Sequence, residues 1–182
     1  MEKLKIAEMG RMNVDEFHRS RKLPLTVVLD DVRSLYNVGA VFRTCDAFRI
    51  RKICLCGITA TPPHPEIHKT ALGAEESVEW EYYMSAEDAV LKLKEAGCTL
   101  LAVEQCKEST MLHQFMVVEG REYAIVLGNE VKGVSQQIVD MCDGCIEIPQ
   151  FGTKHSLNVS VAAGIVMWSI AAQFLSDGQY VL

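Results

Sequence analysis

Three short stretches of this chain gather polar and small residues in patterns that suit chemistry on a polar or charged ligand. Asn37-Val38-Gly39-Ala40-Val41-Phe42-Arg43-Thr44 places an amide six residues ahead of a guanidinium. Ile125-Val126-Leu127-Gly128-Asn129-Glu130-Val131-Lys132-Gly133 sets a carboxylate between two glycines, directly after an apolar run. Ile148–Trp168 runs from Ile-Pro through a Gly-containing loop into Ser156-Leu157-Asn158, and then at once into a long run of small and apolar residues. The start of a helix leaves backbone N–H groups unpaired, and those groups together with Ser and Asn side chains form a natural seat for a charged or polar ligand.

The elements that must position these stretches alternate from Leu25 onward. Leu25–Asp30 is a nearly continuous apolar run, as expected for a strand covered on both faces. A helix is expected over Asn37–Phe48, a strand over Lys52–Gly57, and a short helix over Glu66–Glu75 after the break at Pro62–Pro65. Val78–Tyr83 is the third strand candidate. Ser85 to Asp88 forms a capping-box pattern opening a helix over Ala86–Ala96, with Gly97 at the C-cap. Strands follow at Thr99–Gln105 and Tyr123–Gly128, a short helix at Ser135–Cys142, a last strand at Cys145–Pro149 and a helix at Leu157–Leu175. That order implies an α/β domain whose mainly parallel sheet is flanked by helices, with ligands at the carboxyl ends of the strands. All three stretches begin at such ends. Residues 1–24 read as a basic N-terminal extension, and residues 25–182 as the domain.

Composition narrows the field. The 182 residues suit one domain with a sizeable core. Net charge is −6, yet residues 1–52 hold eleven Lys/Arg against seven Asp/Glu, so the basic surface is concentrated early in the chain. Seven cysteines without an export signal favour reduced thiols in a cytoplasmic protein over a disulfide framework. Cys142 and Cys145 form a lone C-x-x-C without a second pair, and His64 and His68 flank a proline in a loop, so no metal is expected. Leu157–Leu175 is apolar enough to imitate a membrane span but carries Asn158, Ser160, Ser169 and Gln173, and it reads as a buried helix. Neither G-x-G-x-x-G nor G-x-x-x-x-G-K-[ST] is present, which removes the usual dinucleotide and nucleoside-triphosphate loops.

In order, N-x-G-x-x-x-R-T, LGxExxG and IP…SLNxSxA resemble the three motifs of the SpoU (TrmH-type) RNA 2′-O-ribose methyltransferases of the SPOUT superfamily, over roughly residues 25–175. The resemblance implies a deep C-terminal trefoil knot, which the rarity of threaded chains would otherwise argue against. It implies S-adenosylmethionine as cofactor, RNA as substrate and a homodimer. Matched by motif, Leu127, Gly128, Ile148, Ser156 and Leu157 would hold the cofactor, with Val103 and Glu104 added from the preceding strand end. Gly128 is expected to be glycine because a Cβ would crowd a ligand packed on the main chain.

Catalysis falls, by the same resemblance, to Arg43, Asn37, Glu130, Ser156 and Asn158. A guanidinium stays protonated, so Arg43 suits fixing a phosphate beside the target ribose or stabilising an emerging alkoxide. The plain alternative is an ion pair with Asp30, Asp31 or Asp46. Asn37 reads equally as a helix N-cap and as a residue near the ribose. Glu130 is expected to orient Arg43 or the pocket loop. Ser156 and Asn158 suit hydrogen bonds to the target nucleotide or to the backbone. Arg19, Arg21 and Lys22, with Arg43, are the expected RNA contacts. Gln150 and Lys154-His155 depart from the family pattern and bear on substrate choice, and the absence of an additional N-terminal RNA-binding domain leans towards transfer RNA. Two other readings stay open: a noncatalytic RNA-binding protein with this fold, and a flavodoxin-like nucleotide-binding enzyme. The apolar, small-residue helix at Leu157–Leu175 needs a second apolar partner, which a second copy would provide.

Overall fold

The computed structural model describes residues 1–5 and 8–176. Residues 6–7 of the expected extension and 177–182 of the expected domain lie outside the described residues. Among the described residues seven strands form one sheet: β1 (Leu23–Asp30), β2 (Ile50–Cys56), β3 (Glu79–Tyr83), β4 (Thr99–Val103), β5 (Thr110–Met111), β6 (Tyr123–Leu127) and β7 (Gly144–Glu147). Their spatial order is β3-β2-β1-β6-β4-β7-β5, and every pairing is parallel. The apolar runs explain that placement. β6 is buried at all five positions and lies in the centre between β1 and β4, whereas Glu79, Trp80 and Tyr82 keep β3 at an edge.

Helices cover both faces: α1 (Val14–Arg19), α2 (Leu35–Ala47), α3 (Pro65–Ala71), α4 (Ala74–Ser77), α5 (Ala86–Glu95), α6 (Gln136–Met141) and α7 (Val159–Ser176). One core packs Val27, Leu29, Ile53 and Ile125 of the sheet against Val38, Phe42 and Cys45 of α2 and Val166, Met167, Ile170 and Phe174 of α7. The other packs Val28, Cys54, Leu100 and Val126 against Ala89, Val90 and Leu93 of α5 and Ile138 of α6. The alternation of inward positions along each strand assigns the side chains to the two faces.

Several expected boundaries shift. The segment before residue 25 is not all extension. β1 starts at Leu23, and α1 opens with a capping box between Asn13 and Glu16. Phe17 of α1 is buried in the first core. The single helix expected over Glu66–Glu75 is two, because Leu72 and Gly73 both take left-handed backbone angles (φ 54° and 95°). α2 begins at Leu35 under the cap of Ser34, whose side chain accepts the Asn37 N–H, so Asn37 is inside the helix and not its N-cap. β4 ends at Val103, two residues short of the expected end. β5, with the 3₁₀ turn at Leu112–Gln114, is too short to leave a periodic signal.

Candidate active site at the carboxyl edge of the sheet

A parallel sheet delivers all its strand ends to one edge, and there β4, β6 and β7 release the loops that enclose the main cavity. It measures about 580 Å³, within the range of pockets that take nucleoside-sized molecules. Its walls are the turn 127–134 after β6, the stretch 103–105 after β4, and residues 146–150 and 155–159 leading into α7. All seven residues expected at the cofactor line it: Val103, Glu104, Leu127, Gly128, Ile148, Ser156 and Leu157. Glu130 and Asn158 line it as well.

Glu130 joins segments nearly a hundred residues apart. Its carboxylate accepts the backbone N–H groups of Arg33 and Ser34 and the Asn37 side-chain amide, each at 3.0 Å. It therefore holds the entry to α2, not Arg43. Burial pushes its pKa up, but the hydrogen bonds from Arg33, Asn37 and Ser34 outweigh burial and leave it below the usual value. Asn37 passes the chain on: its Oδ1 accepts from Asn158 Nδ2 at 3.1 Å. Asn158 in turn caps α7, its Oδ1 accepting from the N–H groups of Ser160 and Val161 at 2.9 and 3.3 Å and from the Ser160 hydroxyl. The line Glu130–Asn37–Asn158 thus ties all three sequence motifs together at the cavity wall.

Gly128 must be glycine for a reason within the fold as well. A Cβ there would collide with the backbone carbonyl of Gly133 and the amide of Val134, so the residue allows the turn to fold back on itself. Gly39 does the same between helices, since a Cβ would meet Thr70 Oγ1 and the Ile67 carbonyl of α3. Three contributors escaped sequence reasoning. Asn129 makes an Asx-type turn, accepting from Val131 and Lys132 N–H groups, and its Nδ2 binds the Asp31 carbonyl at 2.8 Å. Gln105 Nε2 donates to the His155 carbonyl at 2.7 Å and anchors the loop before α7. Ser34 is a cap, and its position three residues before Asn37 was the available signal.

Other expected residues stand apart. Arg43 is exposed on α2, outside the cavity lining, and none of the ion pairs among the described residues joins it to Asp30, Asp31 or Asp46. It immediately precedes Thr44 and Cys45, which face α7, Cys45 Sγ lying 3.6 Å from Met167 Sδ. Ser156 is exposed in the cavity wall. Arg19, Arg21 and Lys22 precede β1, at the amino edge of the sheet. An eight-residue strand spans ~26 Å, so these residues and the cavity lie at opposite ends of the molecule. Lys22 is moreover turned inward: its ammonium donates to the carbonyls of Phe17, His18 and Ser20 at the end of α1 and lies 4.2 Å over the Phe17 ring. The expected RNA patch at Arg19, Arg21 and Lys22 is thus not contiguous with the cavity in one chain. In the loops between a strand's carboxyl end and the next element, exposed cations include Arg33, Lys107, Lys132 and Lys154.

His64 and His68 have other partners: His64 Nδ1 accepts the Glu66 N–H as the cap of α3, and His68 lies 2.5 Å from Glu75. Among the described residues no helix is long and apolar enough to cross a membrane. Along α7 the exposed residues Val161, Ile165 and Trp168, with Leu157 just before it, form an apolar stripe one helical face wide. The opposite face, from Val159 to Phe174, is in the core.

Known proteins resemble this chain in sequence and fold. The sequence is 31% identical over 173 residues to the tRNA (guanosine(18)-2′-O)-methyltransferase of Thermus thermophilus, covering 95% of this chain and 87% of the relative. It is 31% identical over 144 residues to a 23S rRNA (guanosine-2′-O-)-methyltransferase of Neisseria meningitidis, covering 79% of this chain but 56% of that protein. The crystal structure of the Aquifex aeolicus TrmH/SpoU tRNA modifying enzyme superimposes with a TM-score of 0.80 at 30% identity, over 92% of this chain and 83% of that one. The description of the matching family, over residues 24–168, is SpoU rRNA Methylase, and with four-fifths of its length inside that match the chain belongs to the SpoU methylase family.

Proposed function

We propose that this protein transfers a methyl group from S-adenosylmethionine to a ribose 2′-hydroxyl in a structured RNA, with transfer RNA the favoured class, as a cytoplasmic homodimer. The carrying observation is that the second and third motif segments line one cavity and the first is joined to both by the Glu130–Asn37–Asn158 chain. The cavity suits the cofactor by size and by lining. Backbone groups around Leu127, Ile148 and Leu157 offer donors and acceptors beside apolar walls, as a nucleoside with an amino acid tail needs. The lean to transfer RNA rests on the Thermus relative, of which the chain spans 87%, against 56% of the ribosomal one. Central placement of β6, with both later loops on the same cavity, is what the deep trefoil knot of this family would require.

The cofactor supplies an electrophilic methyl carbon, which the ribose oxygen attacks as the sulfur leaves with the bonding electrons. The chain's own part is placement. Glu130 and Asn158 hold the two motif loops in register across the cavity, and alignment of this kind supplies a large share of the barrier in such displacements. Ser156 would bond the target nucleotide, a role supported by its exposure in the cavity wall. Arg43 carries a fixed positive charge suited to a phosphate beside the target ribose or to the developing alkoxide. Its position outside the cavity, next to the α7-facing side of α2, fits a site completed at a dimer face along Leu157, Val161, Ile165 and Trp168. Incubation with tritiated S-adenosylmethionine and total RNA, followed by nuclease digestion, should give labelled 2′-O-methyl nucleosides. RNA binding without label would instead establish a noncatalytic binder, and absence of both would refute the reading.

A further inference from the structure

Seven cysteines are free in this fold, and four of them, Cys45, Cys54, Cys56 and Cys98, are buried. The other three, Cys106, Cys142 and Cys145, are half-buried and lie together where β4 and β7 run side by side. Two of these make a contact that packing alone does not require. Cys145 Sγ lies 2.8 Å from Cys106 Sγ, across a separation of 39 residues, and also donates to the Glu104 carbonyl at 3.1 Å. The C-x-x-C visible in the sequence is therefore not the intimate pair; Cys145 turns from Cys142 to Cys106.

The location of that pair gives it a consequence. Cys106 ends the segment Glu104–Cys106, which ties down both loops of the cavity. Glu104 Oε2 accepts the Val134 N–H at 3.0 Å and so holds the turn after β6. Gln105 Nε2 holds the loop before α7 through the His155 carbonyl. The Cys145 thiol in turn holds this segment to β7 through the Glu104 carbonyl. A change at the two sulfurs acts on all of these bonds together.

We propose that Cys106 and Cys145 form a redox modification site, closing to a disulfide on exchange with a small-molecule disulfide and thereby displacing both loops of the cavity. One cysteine thiolate attacks RSSR, forming a mixed disulfide and releasing RS⁻. The second then attacks the protein-side sulfur and releases the other RS⁻. Two protein thiols lose two electrons and two protons in total, and RSSR becomes two RSH. Closure removes the S–H that binds the Glu104 carbonyl and draws Cys106 onto β7. The loops at Val134 and His155 follow because Glu104 and Gln105 lie within two residues of the bridge. Cys45, Cys54 and Cys56 are buried away from a small-molecule disulfide, whereas Cys106 and Cys145 are half-buried; burial also raises the Cys145 thiol, to about 12, so the first attack is assigned to Cys106 and the second to Cys145. For its effect on cofactor binding, though not for the bridge itself, the proposal rests on the methyltransferase reading.

The test uses the full chain, reduced and then equilibrated with mixtures of oxidised and reduced glutathione. The expected oxidised species is lighter by two hydrogens, without retained glutathione, and yields a cross-linked peptide pair containing Cys106 and Cys145. Amide hydrogen exchange should change in both residues 128–134 and 150–158, and S-adenosylmethionine affinity should fall at least fivefold and recover on reduction. Cys106→Ser should form no such bridge and should keep an affinity that oxidised glutathione does not alter. A bridge through Cys142, persistent glutathione adducts, or no oxidised species overturns the site. A Cys106–Cys145 bridge with unchanged exchange in both loops overturns its link to the cavity. Should neither form bind the cofactor, the proposed activity fails, while the peptide map and exchange data still decide this proposal.

Discussion

Replacing Glu130 with Ala should weaken cofactor binding and methyl transfer by severing the tie between two motifs rather than by removing a proton acceptor. Three donors converge on its carboxylate, the N–H groups of Arg33 and Ser34 and the Asn37 amide, each at 3.0 Å. A hydrogen bond to a charged group contributes about 1.5–3 kcal/mol when shielded. Glu130 is exposed, so screening reduces each to roughly 0.5–1 kcal/mol. The sum is about 2 kcal/mol, equivalent to roughly a thirtyfold shift between ordered and displaced loop states. Glu130→Gln keeps one acceptor oxygen without the charge and should lie between parent and Ala, at several-fold. Isothermal titration with S-adenosylmethionine and single-turnover methylation of RNA measure the two effects separately. A double-mutant cycle with Asn37→Ala should show coupling, because the two side chains share one hydrogen bond. Affinity and rate within twofold of the parent for Glu130→Ala, or strict additivity with Asn37→Ala, would refute the reasoning.

Four other perturbations separate the proposed roles. Arg43→Ala should reduce methyl transfer by at least a hundredfold and leave cofactor affinity within twofold, and equal turnover by mutant and parent on the true RNA would remove Arg43 from the reaction. Gly128→Ala should cost about 1–3 kcal/mol of stability, because its Cβ meets the backbone of Gly133 and Val134, and a denaturation midpoint equal to the parent's would contradict that packing. Asp30, at the end of β1, has its pKa raised to about 6 by burial, then by Asp31 and Glu87. Its folded pKa lies above the unfolded one, so this contribution to stability is fully present below about pH 4 and lost as the pH rises through 6. Asp30→Asn should therefore stabilise the protein by about 1 kcal/mol at pH 8 after allowance for partial exposure, with no gain at pH 3.5, as read by urea unfolding. Light scattering should give about twice the chain mass of 20.3 kDa, and Ile165→Glu with Trp168→Glu should return it to one; a parent that is monomeric while methylating RNA would refute the α7 interface.

The parts of the site legible in the sequence are those where chain order and spatial order coincide. Each motif follows a strand, and a parallel sheet sends every carboxyl end to one edge, which places the motif loops together; the particular residues Leu127, Gly128, Ile148 and Leu157 come from the family resemblance, and all four line the cavity. What remained hidden depends on pairs far apart in the chain. Apolar runs do not say that β6 inserts between β1 and β4, because each run fits any central position. Nothing local to Glu130 reveals that its partners are Arg33, Ser34 and Asn37. The same limit acts on two single residues. A glycine in a motif does not disclose that its neighbour is the backbone of Gly133. The charge of Lys22 is visible in the sequence, and the α1 carbonyls that hold it are not.

One division of labour follows from these geometries. Side chains that look catalytic by type, Glu130, Asn37 and Asn158, are engaged with backbone and with each other, and their hydrogen bonds close the cavity from three segments. The residue with the charge best suited to a phosphate or an alkoxide, Arg43, stands outside that network on an exposed helix face. A guanidinium free of the cavity's own hydrogen bonds can move to meet RNA, whereas a carboxylate holding three donors cannot move without opening the loop. Activity should therefore be lost in two distinguishable ways: through affinity for the cofactor when the Glu130 network is cut, and through the chemical step when Arg43 is removed. If both changes altered cofactor affinity equally, the separation between a fixed cofactor cavity and a mobile RNA-facing arginine would be wrong.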